Sequence, residues 1–154
     1  MVDFTLSASA QAIRTAARGF AKLNLAGARG IYSKHATPAE QFQSTQPIYG
    51  EAVKAGLVKG QIPTPVGGAS NSLVEAAVLV EEFYAVETSA SLIIFGTGLG
   101  LTPLALAYQP KFRKFLDPFL TCQGTPLASL VFSEPVGVVS FRLSRNWLLH
   151  ISFG

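Results

Sequence analysis

Charged side chains and cysteines are scarce in this chain of 154 residues. Asp, Glu, Lys and Arg together make up 14% of the sequence, and the net charge is +3. The basic residues form no stripe along the chain, so the composition gives no support to a nucleic-acid partner. Cys122 is the single cysteine, which excludes an internal disulfide and fits a reducing compartment. The first residues contain Asp3 and no basic flank before an apolar run, so we expect no secretory signal and an intracellular protein, cytoplasmic or in an organelle.

Apolar residues are abundant by contrast. Hydrophobic residues make up 49% of the sequence, and the mean hydropathy is +0.36. A chain of this length corresponds to one domain. The composition therefore leaves two classes of protein, a membrane protein or a domain whose outer faces are covered by something else.

Helix-start patterns recur in the first half of the chain. Thr37 and Glu40 form a capping box, and Pro47 must interrupt the helix that follows. The predicted helices begin after Ser7, Thr37, Ser44 or Thr45, and Ser72. We expect the first to reach about residue 31 and the last to reach about residue 86.

Four charged residues in these helices have predicted roles. Arg14 and Arg18 are expected on a solvated face of the first helix. Glu81 and Glu82 are adjacent, and neighbouring side chains on a helix point about 100° apart, so they do not form a ready acid/base pair. We expect one glutamate to be solvated and the other to take part in a salt bridge or a helix cap.

Residues 88–110 contain no charged side chain, and three interpretations compete for them. A transmembrane helix has the right length, but Pro103, three glycines and the lack of basic flanks argue against it. A dinucleotide-binding loop would need a third glycine where Leu101 stands. We favour a helix buried on nearly all sides, whose glycines let neighbouring elements approach closely, and we expect no membrane association.

A short apolar run, Leu127 to Phe132, is typical of a strand buried on both faces. Pro135 cannot donate a hydrogen bond to a sheet, so the strand must end just before it, at Ser133 and Glu134. Backbone amides and a serine hydroxyl at such a strand end are common ligand contacts.

The order of these elements resembles the N-terminal helical domain of the acyl-CoA dehydrogenase superfamily over residues 6–137. The markers are Gly56-Leu57, Pro65-Val-Gly-Gly68, Val80-Glu-Glu-Phe83, Phe115-Leu-Asp-Pro118 and Ser133-Glu-Pro135. Within the superfamily the sequence is most similar to the nitroalkane oxidase family in its first seven residues and in residues 41–53, 82–87 and 126–130. The fold class that this resemblance implies is all-α, a helical bundle ending in one or two short strands of an incomplete β-domain.

The resemblance also implies a chemistry. Nitroalkane oxidases convert nitroalkanes to aldehydes or ketones with release of nitrite and hydrogen peroxide, using FAD and a carboxylate base. The family forms homotetramers and acts on a small-molecule substrate.

Carried over onto this sequence, the resemblance assigns cofactor contact to Leu130, Val131, Phe132 and Ser133, and a substrate pocket to Thr97, Leu99 and Leu101. It assigns no catalytic residue and no metal ligand. Glu134 is expected to have a structural role in the turn.

The resemblance divides the chain into a helical domain over residues 1–126, the first strand of a flavin-binding β-domain over 127–137, and a tail outside the family over 138–154. Because the family's catalytic carboxylate belongs to later domains, we expect an incomplete product that is inactive alone, binds FAD poorly and self-associates. Two alternatives stay open. One is an acyl-CoA dehydrogenase acting on acyl-CoA thioesters, and the other is a non-enzymatic helical interaction or membrane-associated protein.

Overall fold

A computed structural model describes residues 5–129 and the strand segments 133–134, 137–138 and 151–152. Within these residues the chain is mainly helical, which confirms the predicted fold class. The α-helices are α1 (Ala8–Asn24), α2 (Ala28–Tyr32), α3 (Pro38–Ser44), α4 (Gln46–Lys54), α5 (Leu73–Tyr84), α6 (Thr88–Leu106) and α7 (Arg113–Leu120). Three 3-10 turns lie at Lys59–Gln61, Thr64–Val66 and Pro110–Phe112.

The described strands are short. They are β1 (Leu127–Ala128), β2 (Ser133–Glu134), β3 (Gly137–Val138) and β4 (Ile151–Ser152). β1 pairs antiparallel with β4, and β2 pairs antiparallel with β3. Among the residues that the structure describes, the strands are thus four segments of two residues each, in keeping with the short strands expected after the helices.

The helix starts follow the capping chemistry that the sequence predicts. The Ser7 hydroxyl accepts a hydrogen bond from the Ala10 amide at 3.2 Å, and Thr37 and Glu40 form a complete capping box. The Ser72 hydroxyl accepts from the Glu75 amide at 3.4 Å. These side chains satisfy amides that the first helical turn leaves without partners.

The prediction that the first helix reaches residue 31 is wrong. α1 ends at Asn24, and α2 begins at Ala28 after a turn. Leu25 and Ala28 are both fully buried. The Ala28 amide donates to the Leu25 carbonyl at 2.9 Å instead of to the carbonyl four residues earlier, so the α-helical hydrogen-bond pattern stops at this turn.

α1 packs against α5 through a buried ionic cluster, called here the Glu82 cluster, made of Glu82, Arg14 and Arg18. Arg14 Nε donates to Glu82 Oε1 at 2.9 Å, and Arg18 donates to both carboxylate oxygens at 2.7 Å. The Glu82 side chain is only 6% exposed. The side chains of Arg14 and Arg18 are 36% and 52% exposed, so the predicted solvated face is confirmed. What the sequence did not predict is that both arginines pair with one buried carboxylate. Their hydrogen bonds, Arg18 first, lower the pKa of Glu82 to about 2.

An aromatic stack continues this interface toward α6. Phe83 is fully buried and stacks on Phe20 of α1, with ring centroids 5.4 Å apart and 9° between the ring planes. Phe95 of α6 meets the other side of Phe83 edge-on, also at 5.4 Å. Phe83 therefore joins α1, α5 and α6 in one core.

α6 is buried along one side only. Ile94, Thr97 and Leu101 are buried, whereas Leu92, Leu99 and Leu106 are 59%, 59% and 81% exposed. The prediction of burial on nearly all sides is wrong, because no other described element covers the row of leucines at seven-residue spacing. By length and composition α6 could cross a membrane, and 39% of its apolar window is buried in this fold.

Candidate functional site

The buried side of α6 meets α4 and β1 at a hydrogen-bonded cluster, called here the Tyr49 cluster, made of Tyr49, Thr97 and Pro126. The Tyr49 hydroxyl donates to the Pro126 carbonyl at 2.5 Å and lies 3.0 Å from Thr97 Oγ1. A phenol carries one proton, and since the carbonyl takes that proton, the Thr97 hydroxyl donates to the Tyr49 oxygen. Tyr49 and Thr97 are each 1% exposed.

The Tyr49 hydroxyl stays neutral over the physiological range. Burial raises the pKa of Tyr49 to about 12, against a smaller opposite effect of the Thr97 hydrogen bond. A phenol with that pKa is not a general base at neutral pH. The chemistry of this cluster is therefore hydrogen bonding and alignment of the three elements that it joins.

Close backbone packing between α6 and β1 surrounds the cluster. A Cβ placed on Gly100 would lie 2.7 Å from the Ala128 carbonyl carbon and 2.7 Å from the Ser129 nitrogen. Only glycine permits that approach, so the strand backbone lies directly on the helix. This confirms the prediction that glycines in the uncharged segment let neighbouring elements approach.

A second glycine of α6 receives the side chain of Gln61. A Cβ on Gly98 would lie 2.0 Å from Gln61 Oε1, and Gln61 Nε2 donates to the Leu57 carbonyl at 3.1 Å and the Ile94 carbonyl at 3.2 Å. Beside them is a small cavity of about 70 Å³, lined by Gln61, Ile62, Pro63, Gly98, Leu101, Thr102, Ala105 and Leu106. None of these lining side chains is ionisable, so the cavity offers an apolar surface with one amide and one hydroxyl.

The structure brings two of the three predicted pocket residues to one side of α6. Thr97 belongs to the Tyr49 cluster, and Leu101 lines the cavity. Leu99 lies on the opposite, exposed side, because residues two apart on a helix are separated by about 200°. The pocket role of all three stays a prediction, and for Leu99 it requires another element over the exposed leucines.

The predicted cofactor contacts fall at the edge of what the structure describes. Leu130, Val131 and Phe132 lie outside the described residues. The backbone of Ser133 belongs to β2, where it is paired with Val138 of β3. Residues 130–133 follow β1 in the chain, so the Tyr49 cluster and Gly100 contact the residues that come just before them.

Sequence reasoning missed Tyr49 and Gln61 as parts of this site. Tyr49 stands among apolar residues in the sequence, and a buried tyrosine hydroxyl usually finds a hydrogen-bond partner. Thr97, a hydroxyl in an otherwise apolar helix, was the available indication of that partner. Gln61 carries no pattern in the sequence that predicts its insertion over Gly98.

Residues 7–120 match the family described as acyl-CoA dehydrogenase, N-terminal domain. This match covers most of the chain. The chain belongs to the acyl-CoA dehydrogenase family. The family predicted from the sequence motifs is thereby confirmed, and the helices that build the Tyr49 cluster are those of its N-terminal domain.

Nitroalkane oxidases are among the similar proteins. The enzyme of Podospora anserina is 54% identical over 140 residues, and that of Fusarium oxysporum is 44% identical over 149 residues. These alignments cover 90% and 96% of this chain but 33% of each relative. The chain thus spans about a third of the length of the curated relatives that it matches.

Solved structures agree with this result. The Podospora anserina nitroalkane oxidase superposes with a TM-score of 0.84 over 90% of this chain and 33% of its own length, at 54% identity. A nitroalkane oxidase described as a flavoprotein gives a TM-score of 0.84 at 45% identity, over 89% of this chain and 32% of its own length. A further structure, with a TM-score of 0.84 at 45% identity over 88% of this chain and 32% of its own length, holds spermine as a competitive inhibitor.

The residues present fit a flavin contact in one respect. Gly100 lets the backbone of Ala128 and Ser129 lie against α6, so the strand leading to Ser133 is held at its start without an intervening side chain. That residues 130–133 meet the cofactor through backbone and hydroxyl groups stays a prediction.

Proposed function

We propose that this chain supplies the helical side of the active site of an FAD-dependent oxidoreductase that oxidises nitroalkanes to aldehydes or ketones, with nitrite and hydrogen peroxide as the other products. FAD, when bound, accepts the electrons that leave the substrate. The part of the chain described here aligns the strand that leads to the flavin contacts and lines an apolar cavity.

The observation that carries the proposal is the combined match to nitroalkane oxidases, with 54% identity and a TM-score of 0.84 over 90% of the chain. The family match alone would fit an acyl-CoA dehydrogenase equally well. The small cavity beside α6, about 70 Å³, has an uncharged lining that suits an apolar substituent of a substrate.

A chimera tests the proposal, because the chain spans a third of its relatives. Residues 1–137 of this chain would replace the corresponding third of the Podospora anserina nitroalkane oxidase. We expect the chimera to bind FAD, to form a homotetramer, and to release nitrite from nitroethane within about tenfold of the intact relative, since the fold of the replaced third is shared. The 154-residue chain assayed alone should release none.

The controls separate the alternatives. Oxidation of an acyl-CoA thioester but not of nitroethane would replace the proposal with the acyl-CoA dehydrogenase alternative. A folded, flavin-loaded chimera with neither activity would contradict the proposal. Within an active chimera, Ser133→Ala should lower turnover several-fold while Ser129→Ala, four positions earlier and exposed, should leave it unchanged.

A further inference from the structure

We propose that Tyr49 is a positioning residue that sets where, and in which register, the flavin-contacting segment leaves the helical domain. The inference rests on the proposed function for its catalytic meaning, but its structural part concerns this chain alone. Tyr49 acts through Pro126 and the strand that follows, and it is not a catalytic residue.

The hydrogen-bond geometry gives the first reason. One hydroxyl joins three elements that are distant in sequence, since Tyr49 is separated by 48 positions from Thr97 and by 77 from Pro126. Proline has no backbone N–H, so its carbonyl is the only backbone group through which Pro126 can be held. Pro126 is buried, and its carbonyl would lose this hydrogen bond if the hydroxyl were removed.

The second reason is the close contact between α6 and the start of β1. Gly100 places the Ala128 and Ser129 backbone in direct contact with α6. Tyr49 fixes the residue before the strand, and Gly100 fixes the residues at its start. Together these two contacts hold the chain against α6 at Pro126 and at Ala128 and Ser129, just before residue 130.

The third reason is the consequence of a slip. Side chains alternate between the two faces of a strand, so a shift of one residue exchanges the faces. Such a shift would displace the backbone groups of the predicted contact residues, Leu130 to Ser133, by one position and exchange the faces to which their side chains point. A hydroxyl at the base of the strand therefore determines which of these side chains face the cofactor.

Hydrogen exchange of the 154-residue chain tests the structural part without any flavin. Tyr49→Phe keeps the ring and removes the hydroxyl. We expect the amides of residues 127–129 to exchange about tenfold faster in this variant, the effect of losing one buried hydrogen bond. Glu82→Gln is the matched control, because it weakens the α1–α5 interface and should leave those amides unchanged. Equal exchange in wild type and Tyr49→Phe would overturn the inference.

The spectrum and turnover of the flavin in the chimera test whether Tyr49 positions the cofactor contacts. We expect Tyr49→Phe to change the shape of the visible circular-dichroism spectrum of the bound flavin and to lower kcat with little change in KM. Glu82→Gln should change neither, although it lowers the melting temperature. The same spectral change in both variants, or in neither, would contradict a positioning role.

A second variant covers the case in which Tyr49→Phe does not fold. Thr97→Val removes the other hydroxyl of the cluster and keeps the Tyr49–Pro126 bond, so we expect a smaller spectral change of the same sign. No change would overturn the inference. The unmodified chimera separates the two proposals. If it does not oxidise nitroethane, the proposed function is contradicted. If it is active and neither Tyr49→Phe nor Thr97→Val changes its activity or flavin spectrum, only the role of Tyr49 is contradicted.

Discussion

Two interfaces hold this helical domain together, and they use opposite chemistry. The Glu82 cluster joins α1 to α5 with a buried carboxylate and two arginines that are 36% and 52% exposed. The Tyr49 cluster joins α4, α6 and the base of β1 with neutral hydroxyls and a carbonyl, all buried. The first interface responds to pH and salt, because charge holds it. The second keeps its geometry under both conditions, which suits the part that leads to the proposed site.

Phe83, the buried residue that joins α1, α5 and α6, should give the largest effect. Phe83→Ala removes a ring that contacts Phe20 and Phe95, and we expect it to lower the free energy of unfolding by about 3–5 kcal/mol, as for other buried phenylalanines. Chemical denaturation measures this change. Leu73→Ala on the same helix is the control, since Leu73 is 90% exposed and should cost less than about 0.5 kcal/mol. Similar losses in both variants would contradict the assigned packing.

Alanine substitutions at Gly100 and Gly96 of α6 should have opposite effects on stability, because only Gly100 faces β1. Gly100→Ala would force a Cβ to within 2.7 Å of strand backbone, and we expect a net loss of about 1–3 kcal/mol from overpacking. Gly96→Ala meets nothing within 4 Å and should stabilise the helix by up to about 1 kcal/mol. The same denaturation series measures both. Effects of equal sign would show that β1 does not lie against Gly100.

Removing one oxygen atom, the hydroxyl of Tyr49, should weaken the Tyr49 cluster. Tyr49→Phe should lower the free energy of unfolding by about 1–2 kcal/mol, because the buried Pro126 carbonyl loses its donor. The loss should be independent of pH between about 5 and 9, since burial holds the pKa of Tyr49 at about 12. A loss that grows with pH in this range would contradict a neutral hydroxyl.

The Glu82 cluster should make the stability of the chain depend on pH in the acid range. The pKa of Glu82 is about 2 in the folded chain against an ordinary value of 4.5, so its contribution is complete above pH 4.5 and disappears as the pH falls toward 2. The unfolded state takes up the proton first, and stability therefore falls with falling pH. Glu82→Gln should remove roughly one proton from the pH dependence of unfolding in this window. An unchanged acid transition in Glu82→Gln would contradict the ionic assignment.

The helix starts could be predicted from the sequence because they depend on local hydrogen bonding. Ser7, Thr37 and Ser72 were identified as caps because capping depends on neighbours three residues away. The helix break at Leu25 and the pairing of Arg14 and Arg18 with Glu82 were not predicted, since both depend on elements more than sixty residues apart or on burial in the common core. Tyr49 was missed for the same reason, because its two partners lie in α6 and before β1.

The family resemblance supplied the rest of the site. The pocket residues Thr97, Leu99 and Leu101 were assigned by the resemblance alone. Residues 130–133 were assigned by it too, with the serine hydroxyl at a strand end as a local indication. The structure adds that Thr97 and Leu101 share one side of α6 while Leu99 lies on the other. This separation is a direct result of helix periodicity and could have been read from the spacing.

Nitrite release from nitroethane by two variants of the chimera, Tyr49→Phe and Glu82→Gln, tests the central comparison most directly. The assay would be run at neutral pH and well below the melting temperature of either variant. We predict that Tyr49→Phe lowers kcat several-fold, because the flavin-contacting segment is misaligned, while Glu82→Gln keeps the kcat of the unmodified chimera. A larger loss of kcat in Glu82→Gln, or equal losses of kcat in both variants, would contradict this account. In that account the Tyr49 cluster aligns the proposed site, and the Glu82 cluster contributes to stability alone.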